Sequence, residues 1–347
     1  MSEKIAILTL TKTSYELGEN LKKSFDETEE VTIFGLEKHV TEDAKIYLDN
    51  KFSRGFSESF KNFDHLICIM ATGIVVRHLA PLIQDKRHDP SVIVMDEKGQ
   101  FVISLLSGHI GGGNELTRRI ADNLNAQAVI TTATDVQNVT AIDSLAKSIN
   151  GWYENFKETT IRVNGLLAAH KKVALLDEEK RITDIRGLMK IDNLTEEVMS
   201  EFEAIIIVST KKIETIAKTS YQVVPRLFVL GMGAKKNTPL SVIESEFETF
   251  CEQHQIHPRS IKKIVSIDLK KEEQGIIDFS KKLEVPFEIF TKEELEESSL
   301  KYPQSEFVKS IVGIGNVALS SADYATGGQV LTDRYGNNGV TFALGKD

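Results

Sequence analysis

Phe101-Val102-Ile103-Ser104-Leu105-Leu106-Ser107-Gly108-His109-Ile110-Gly111-Gly112-Gly113-Asn114-Glu115 joins two segments of different hydrophobic period through four glycines. Its first six residues are an apolar run of strand character, and Glu115 to Asn125 carries the spacing of an amphipathic helix. The glycines between them predict a strand-to-helix junction. Each glycine costs about 0.5–1 kcal/mol relative to alanine in regular structure, and in return lets backbone approach a ligand beneath a helix N-terminus rich in free N–H groups. Such a junction suits an anionic ligand. His109 is the one imidazole in the stretch, and Glu115 is the nearest carboxylate, so the two are candidates for an acid/base pair. The competing reading is a plain tight turn whose first-turn glutamate favours the helix dipole.

Working outward, the same grammar recurs. Lys4–Leu10 reads as a strand, Ser14–Phe25 as an amphipathic helix, Val31–Phe34 as a strand and Gly55–Lys61 as a short helix. Asp64–Met70 is a buried strand entering Ala71-Thr72-Gly73 and a helix over Ile74–Ala80. Ser91–Asp96 and Gln100–Leu106 flank Glu97-Lys98-Gly99 and predict a hairpin. Beyond Ala128–Thr131, the turn Thr132-Ala133-Thr134-Asp135 leads to a helix over Ala141–Asn150. From Gly151 to about Pro225 glycine turns are scarce, with strands predicted at Val173–Leu176 and Ala204–Val208. A new block starts near Arg226, where a strand over Leu227–Leu230 runs into Gly231-Met232-Gly233-Ala234-Lys235-Lys236-Asn237. Helices over Pro239–Gln253 and Gln274–Leu283 then alternate with strands over Ile261–Ile267 and Phe287–Phe290. Two short helices, Lys292–Glu297 and Glu306–Ser310, precede a glycine-rich end. Alternation of this kind predicts α/β architecture: two α/β domains with mostly parallel sheets, 1–137 and 225–347, joined by a smaller middle α/β domain, 138–224.

The 347 residues exceed one ordinary core, and 41% hydrophobic with 27% charged content is that of a folded soluble protein. A formal net charge of −9 argues against nucleic acid and membrane surfaces as partners, so an anionic ligand must meet a local basic patch. The apolar opening Ile5–Leu10 is too short for a secretory segment and no long apolar run occurs, which leads us to expect a cytoplasmic protein. Cys68 and Cys251 lie far apart in different patterns, so a disulfide framework is not expected.

Several motifs compete for the chemistry. Gly231-Met232-Gly233 invites a dinucleotide reading, but Lys236 stands where the fingerprint needs a third small residue. Lys235 and Lys236 at a helix start make better sense as a grip on a carboxylate or phosphate, against a solvated turn. Gly313-Ile314-Gly315-Asn316 and Thr326-Gly327-Gly328, near Arg334, could wall a flat ligand. Arg77, His78, Lys86, Arg87 and His88 form a basic run, and Arg118 and Arg119 follow Gly113 by one helical turn; arginine's planar fork pairs bidentately with carboxylates. Cys251, His254 and His257 have spacing that suggests zinc, but no fourth ligand is evident. No Gly-x-Ser-x-Gly elbow or P-loop is present.

Met70-Ala71-Thr72-Gly73-Ile74-Val75-Val76-Arg77, Val94-Met95-Asp96-Glu97-Lys98-Gly99, Ser107-Gly108-His109-Ile110-Gly111-Gly112-Gly113-Asn114 and Thr131-Thr132-Ala133-Thr134-Asp135, in this order, resemble the N-terminal domain of the cobalt-precorrin-5A hydrolase family. The block from Leu230-Gly231-Met232-Gly233 to Gly339-Val340-Thr341-Phe342-Ala343 is similar to that family's C-terminal domain. The resemblance implies an enzyme of anaerobic cobalamin synthesis. Such an enzyme opens the δ-lactone of cobalt-precorrin-5A and expels one bridging carbon with its methyl group as acetaldehyde, leaving cobalt-precorrin-5B. It also implies no protein-bound cofactor or metal, since the substrate carries the cobalt. One departure stands out: Thr332-Asp333-Arg334 lies where a lysine-containing strand is expected, and arginine can replace lysine as an anion partner but not as an amine nucleophile.

The expected catalytic residues are His109 and Glu115, with the Gly111–Gly113 N–H groups as oxyanion donors. Expected substrate contacts are Thr72, Gly73, Arg77, Ser107, Gly108, Gly111, Gly112, Gly113, Asn114, Gly231, Gly233, Lys235, Gly315 and Arg334. A homodimer is left open. Two other classes remain: a corrinoid carrier without catalysis, and a nucleotide-dependent oxidoreductase or methyltransferase using the Gly231–Gly233 turn.

Overall fold

A computed structural model describes residues 3–26, 28–40, 44–85, 88–109, 111–213 and 219–346. The chain divides into two compact units, Met1–Ser144 and Leu145–Asp347, with one sheet in the first and two in the second.

The first sheet contains β1 (Lys4–Thr9), β2 (Glu30–Gly35), β3 (Lys45–Ile46), β4 (His65–Ile69), β5 (Ser91–Met95), β6 (Phe101–Leu106) and β7 (Gln127–Val129), in the order β3-β2-β1-β4-β5-β6-β7. Its central strands β1, β4 and β5 read as continuous apolar runs because both their faces are covered. Ile5, Ile7, Ile67, Ile69, Ile93 and Met95 pack on one face with Leu116 and Ile120 of the helix Gly113–Leu124. Ala6, Leu8, Leu66, Cys68, Val92 and Val94 pack on the other with Phe56 and Phe60 of the helix Phe52–Asn62 and Val75 and Leu79 of the helix Thr72–Leu79.

Direction along this sheet matters for the site. β1 to β5 are parallel, but β5 and β6 form the expected hairpin, with Val92 opposite Leu106 and Met95 opposite Val102. Gly99 closes its turn at φ 65°. β6 therefore runs backwards, and β7 follows it in parallel. The loops that follow β6 and β7 emerge beside the start of β4 and β5, at the edge opposite the loop that follows β4.

The second unit contains a sheet of order β10-β9-β11-β12-β8, made of β8 (Gly151–Trp152), β9 (Val173–Asp177), β10 (Leu188–Lys190), β11 (Ala204–Val208) and β12 (Ser220–Pro225). Only β8 is antiparallel to its neighbour. The last sheet has the order β15-β14-β13-β17-β16, made of β13 (Phe228–Ala234), β14 (Ile261–Ile267), β15 (Phe287–Phe290), β16 (Tyr335–Asn337) and β17 (Val340–Lys346). β13, β14 and β15 are parallel; β17 and β16 are antiparallel additions. The expected α/β class, with mostly parallel sheets, is what the chain adopts.

The glycine-rich end is more structured than its composition suggests. The helix Ala318–Ala325 is buried along most of its length, and β17 lies against β13 over its whole seven residues. β13 itself does not end at Leu230: Gly231, Met232 and Gly233 are strand residues. A Cβ on Gly231 would lie 1.9 Å from the Ala318 carbonyl oxygen, so this glycine is there to let that helix close on the sheet. The expected glycine turn, and with it the dinucleotide reading, is replaced by a strand packed under a helix.

Candidate functional site

The loop after β6 places His109 against the loop after β7. His109 Nε2 lies 2.8 Å from Asp135 Oδ2 and 3.1 Å from Thr134 Oγ1. Asn114 Nδ2 donates to the same Asp135 oxygen at 2.7 Å and to Thr132 Oγ1 at 3.2 Å, while Arg118 donates to Asp135 Oδ1. Burial alone would raise the Asp135 carboxyl, but the hydrogen bonds and charges of His109 and Arg118 hold it down at about 2. An ionised carboxylate only accepts, so Nε2 of a neutral His109 carries the proton. Nδ1 is then the basic atom, and it forms no hydrogen bond among the described residues. This is the orientation that a general base held by a carboxylate requires.

Backbone geometry explains the glycines. Gly112 caps the helix Gly113–Leu124 in the left-handed region at φ 74°. A Cβ on Gly108 would lie 2.3 Å from Asn114 Oδ1, and so would displace the amide that holds Asp135. The turn, however, consumes its own donors. Gly112 N–H bonds the His109 carbonyl at 2.9 Å, Gly113 N–H the Ser107 carbonyl at 3.3 Å and Asn114 N–H the Gly108 carbonyl at 2.8 Å. The expected oxyanion donors at Gly112 and Gly113 are thus already spent inside the loop. Ile110 lies outside the described residues.

The other expected residues of this unit lie as follows. Asn114 is 4% exposed, with its amide turned onto Asp135 and Thr132. Glu115 is exposed on the first helical turn and does not join the His109–Asp135 set. Thr72, Gly73 and Arg77 belong to the other edge of the sheet, separated from His109 by the length of β4, roughly 16 Å at about 3.3 Å per residue. There Thr72 and Gly73 are exposed at a helix start with no side-chain cap, and Arg77 donates back to the Gly73 carbonyl at 3.0 Å. This edge is where strand order reverses between β1 and β4, the usual ligand crevice of doubly wound sheets. Arg119, for its part, is engaged with Glu29 at 2.7 Å; Lys86 and Arg87 lie outside the described residues.

In the second unit, a cavity of about 520 Å³ gathers Gly233, Lys235, Gly315 and Arg334, all expected substrate contacts, and adds Lys236, Lys270 and the helix Glu306–Val312. Gly231 is not part of it, for the packing reason given above. Lys270 is paired with Glu273 at 3.4 Å. Among the described residues Lys235, Lys236 and Arg334 form no ion pair, and no acidic residue lines the cavity. The same cavity is lined by Phe307 and Ile311, one helical turn apart, which are 68% and 62% exposed. Unpaired cations and exposed apolar side chains lining one cavity suit a ligand that is both anionic and apolar. Arg334, the departure noted above, lines this cavity.

Cys251, His254 and His257 do not converge: Cys251 is buried, His254 lies against Phe250, and His257 accepts from Arg259 N–H and packs on Trp152. No group of three His, Cys, Asp or Glu residues able to hold a metal occurs among the described residues. No helix among them is long and apolar enough to cross a membrane.

The first unit thus holds a histidine oriented by a carboxylate and the second, separately, a cavity lined by unpaired cations, in an α/β protein with the side-chain chemistry of an enzyme. Family models described as "Cobalamin synthesis G N-terminal" and "Cobalamin synthesis G C-terminus" match residues 54–135 and 228–345. The chain is 38% identical to the cobalt-precorrin-5A hydrolase of Salmonella typhimurium over 99% of its own length and 97% of that protein's. It is 30% identical to the cobalt-precorrin-5A hydrolase of Priestia megaterium, covering 98% and 94%. To the probable cobalt-precorrin-5A hydrolase of Methanocaldococcus jannaschii it is also 30% identical, covering 88% and 95%. The chain belongs to the cobalt-precorrin-5A hydrolase family.

Proposed function

We propose that this protein is a cytoplasmic enzyme hydrolysing cobalt-precorrin-5A to cobalt-precorrin-5B and acetaldehyde, with the His109–Asp135 pair as its proton-transfer centre. The observation that carries the mechanism is the 2.8 Å contact between His109 Nε2 and an ionised, largely buried Asp135. His109 Nδ1 takes a proton from water as the water oxygen bonds to the lactone carbonyl carbon. Asp135 stabilises the imidazolium, and Asn114 and Arg118 hold Asp135 in place. Collapse of the adduct breaks the acyl C–O bond and leaves a carboxylate on the ring and a hydroxyl on the bridging carbon. The hydroxyl gives up its proton to water as the bond from this carbon to the ring breaks, so the carbon leaves as the carbonyl of acetaldehyde while the electron pair stays on the macrocycle, which takes up a proton in its place.

Recognition is assigned to the second unit. Lys235, Lys236 and Arg334 would hold acetate and propionate arms, and Phe307 and Ile311 would face the ring. The cobalt travels with the substrate and needs no protein ligand. The net charge of −9 speaks against nucleic acid as a partner, and light scattering decides between a monomer and a homodimer. Anaerobic incubation with cobalt-precorrin-5A, following acetaldehyde with alcohol dehydrogenase and the corrin by mass spectrometry, tests the assignment. Multiple turnovers support it; a bound and unaltered corrinoid makes the protein a carrier.

A further inference from the structure

The rim of the cavity in the second unit is built on an element with little support of its own. β16 has three residues, sits at the sheet edge and pairs only with β17. The turn between them, Asn338-Gly339, has φ 45° and 81°, the left-handed pair of a tight hairpin. A two-stranded extension this short is marginal in isolation. Yet it presents Arg334, Gly336, Asn337, Asn338 and Gly339 to the cavity.

The Tyr335 ring packs on Phe250 and Phe342, and the polar support comes from one carboxylate. Glu246, in the middle of the helix Leu240–Gln253, is 6% exposed. Its Oε2 accepts from the Tyr335 hydroxyl, and its Oε1 accepts from Asn338 Nδ2 at 2.6 Å and Asn337 Nδ2 at 3.3 Å. All three donors belong to the hairpin, and they hold the Glu246 carboxyl below its ordinary value, Tyr335 contributing most. The carboxylate also settles a polarity that amides otherwise leave free. An acceptor-only group obliges both asparagines to turn their NH2 ends inward, so their carbonyl oxygens are the ends left for a ligand.

We propose that Glu246 is a positioning residue for substrate recognition: it fixes the β16–β17 rim and the orientation of the Asn337 and Asn338 amides, and so sets the affinity of the cavity without taking part in proton transfer. The rim then offers an arginine for a carboxylate and two amide oxygens for donors on the same ligand. A glutamine at 246 keeps one acceptor oxygen but no longer dictates the direction of both amides. An alanine keeps neither.

This inference rests on the recognition role given to the cavity, and two readouts keep the two apart. KM and kcat for cobalt-precorrin-5A are measured for wild type, Glu246→Ala, Glu246→Gln and Tyr335→Phe, and the Kd of cobyrinic acid, a stable corrinoid with free carboxylates, is measured by absorbance titration. Expected for Glu246→Ala is a rise of about tenfold in KM and in Kd, with kcat within about twofold. Glu246→Gln should fall between it and wild type. Tyr335→Phe removes one of the three bonds but leaves both amides tied, so it should raise KM and Kd by less than Glu246→Ala does. If Glu246→Ala lowers Tm but leaves KM and Kd unchanged, the residue is only a structural tie and the inference is overturned. It is equally overturned if kcat falls with KM constant. Turnover by wild type without any binding of cobyrinic acid would leave the hydrolase assignment standing and remove the cavity, with Glu246, from recognition.

Discussion

Asp135→Asn is the substitution that tests the proton-transfer centre most closely, because it keeps the shape of the side chain and removes its charge. In the wild-type protein the carboxyl is held at about 2 against an ordinary 3.8, a difference on the order of 2 kcal/mol that burial opposes and the His109 and Arg118 contacts supply. An imidazolium formed at His109 during water attack gains a charge-assisted hydrogen bond from the carboxylate, worth about 1.5–3 kcal/mol, that an amide cannot provide. Lost only in the transition state, this predicts a fall in kcat of about 10- to 150-fold with KM little changed. The assay is acetaldehyde release under anaerobic conditions with saturating cobalt-precorrin-5A, on protein shown to be folded by circular dichroism. A variant with kcat within about threefold of wild type would refute the role given to the pair.

Three other outcomes follow from the same geometry. The depressed Asp135 carboxyl contributes stability that is fully present above its unfolded value near 3.8 and is lost as pH falls through about 2; thermal melts of wild type and Asp135→Asn should therefore converge between about pH 4 and pH 2. Gly231→Ala forces a methyl group against the Ala318 carbonyl, a clash that repacking of side chains cannot relieve, so we expect a loss of about 2–3 kcal/mol and a Tm lower by roughly 5–10 °C in calorimetry. Lys235→Ala and Arg334→Ala should each raise KM several-fold with kcat nearly constant, and the effect should shrink at high salt.

Much of the fold is legible in the sequence because apolar runs and glycine punctuation coincide: the strand at Ile261–Ile267, the helix at Gln274–Leu283 and the hairpin at Glu97–Gly99 all lie where they are expected. The failures have local causes. Gly231 and Gly233 resemble turn glycines because nothing near them in the chain reveals the helix Ala318–Ala325 that presses on the strand from about ninety residues away. That helix, rich in Ala and Ser, lacks the polar face that marks an amphipathic segment, since it is buried.

The site divides the same way. His109 announces itself, but its partner Asp135 is twenty-six residues distant and meets it only because β6 and β7 are neighbours running in one direction. The adjacency of two consecutive strand-to-loop junctions was the available signal. The separation of Thr72, Gly73 and Arg77 from His109 was implicit in the hairpin, which reverses the chain between them; similar glycine turns at opposite sheet edges hid it. Glu246 carries no mark in sequence, because its donors lie about ninety residues downstream.

The most direct measurement is a turnover of cobalt-precorrin-5A in heavy-oxygen water, with the corrin product weighed by mass spectrometry for wild type and His109→Ala. Water attack on the lactone carbonyl predicts one heavy oxygen in the carboxylate of cobalt-precorrin-5B, with acetaldehyde released. His109→Ala should be slower by about 10²–10⁴. An unlabelled corrin product, or a His109→Ala rate within about tenfold of wild type, would contradict the account.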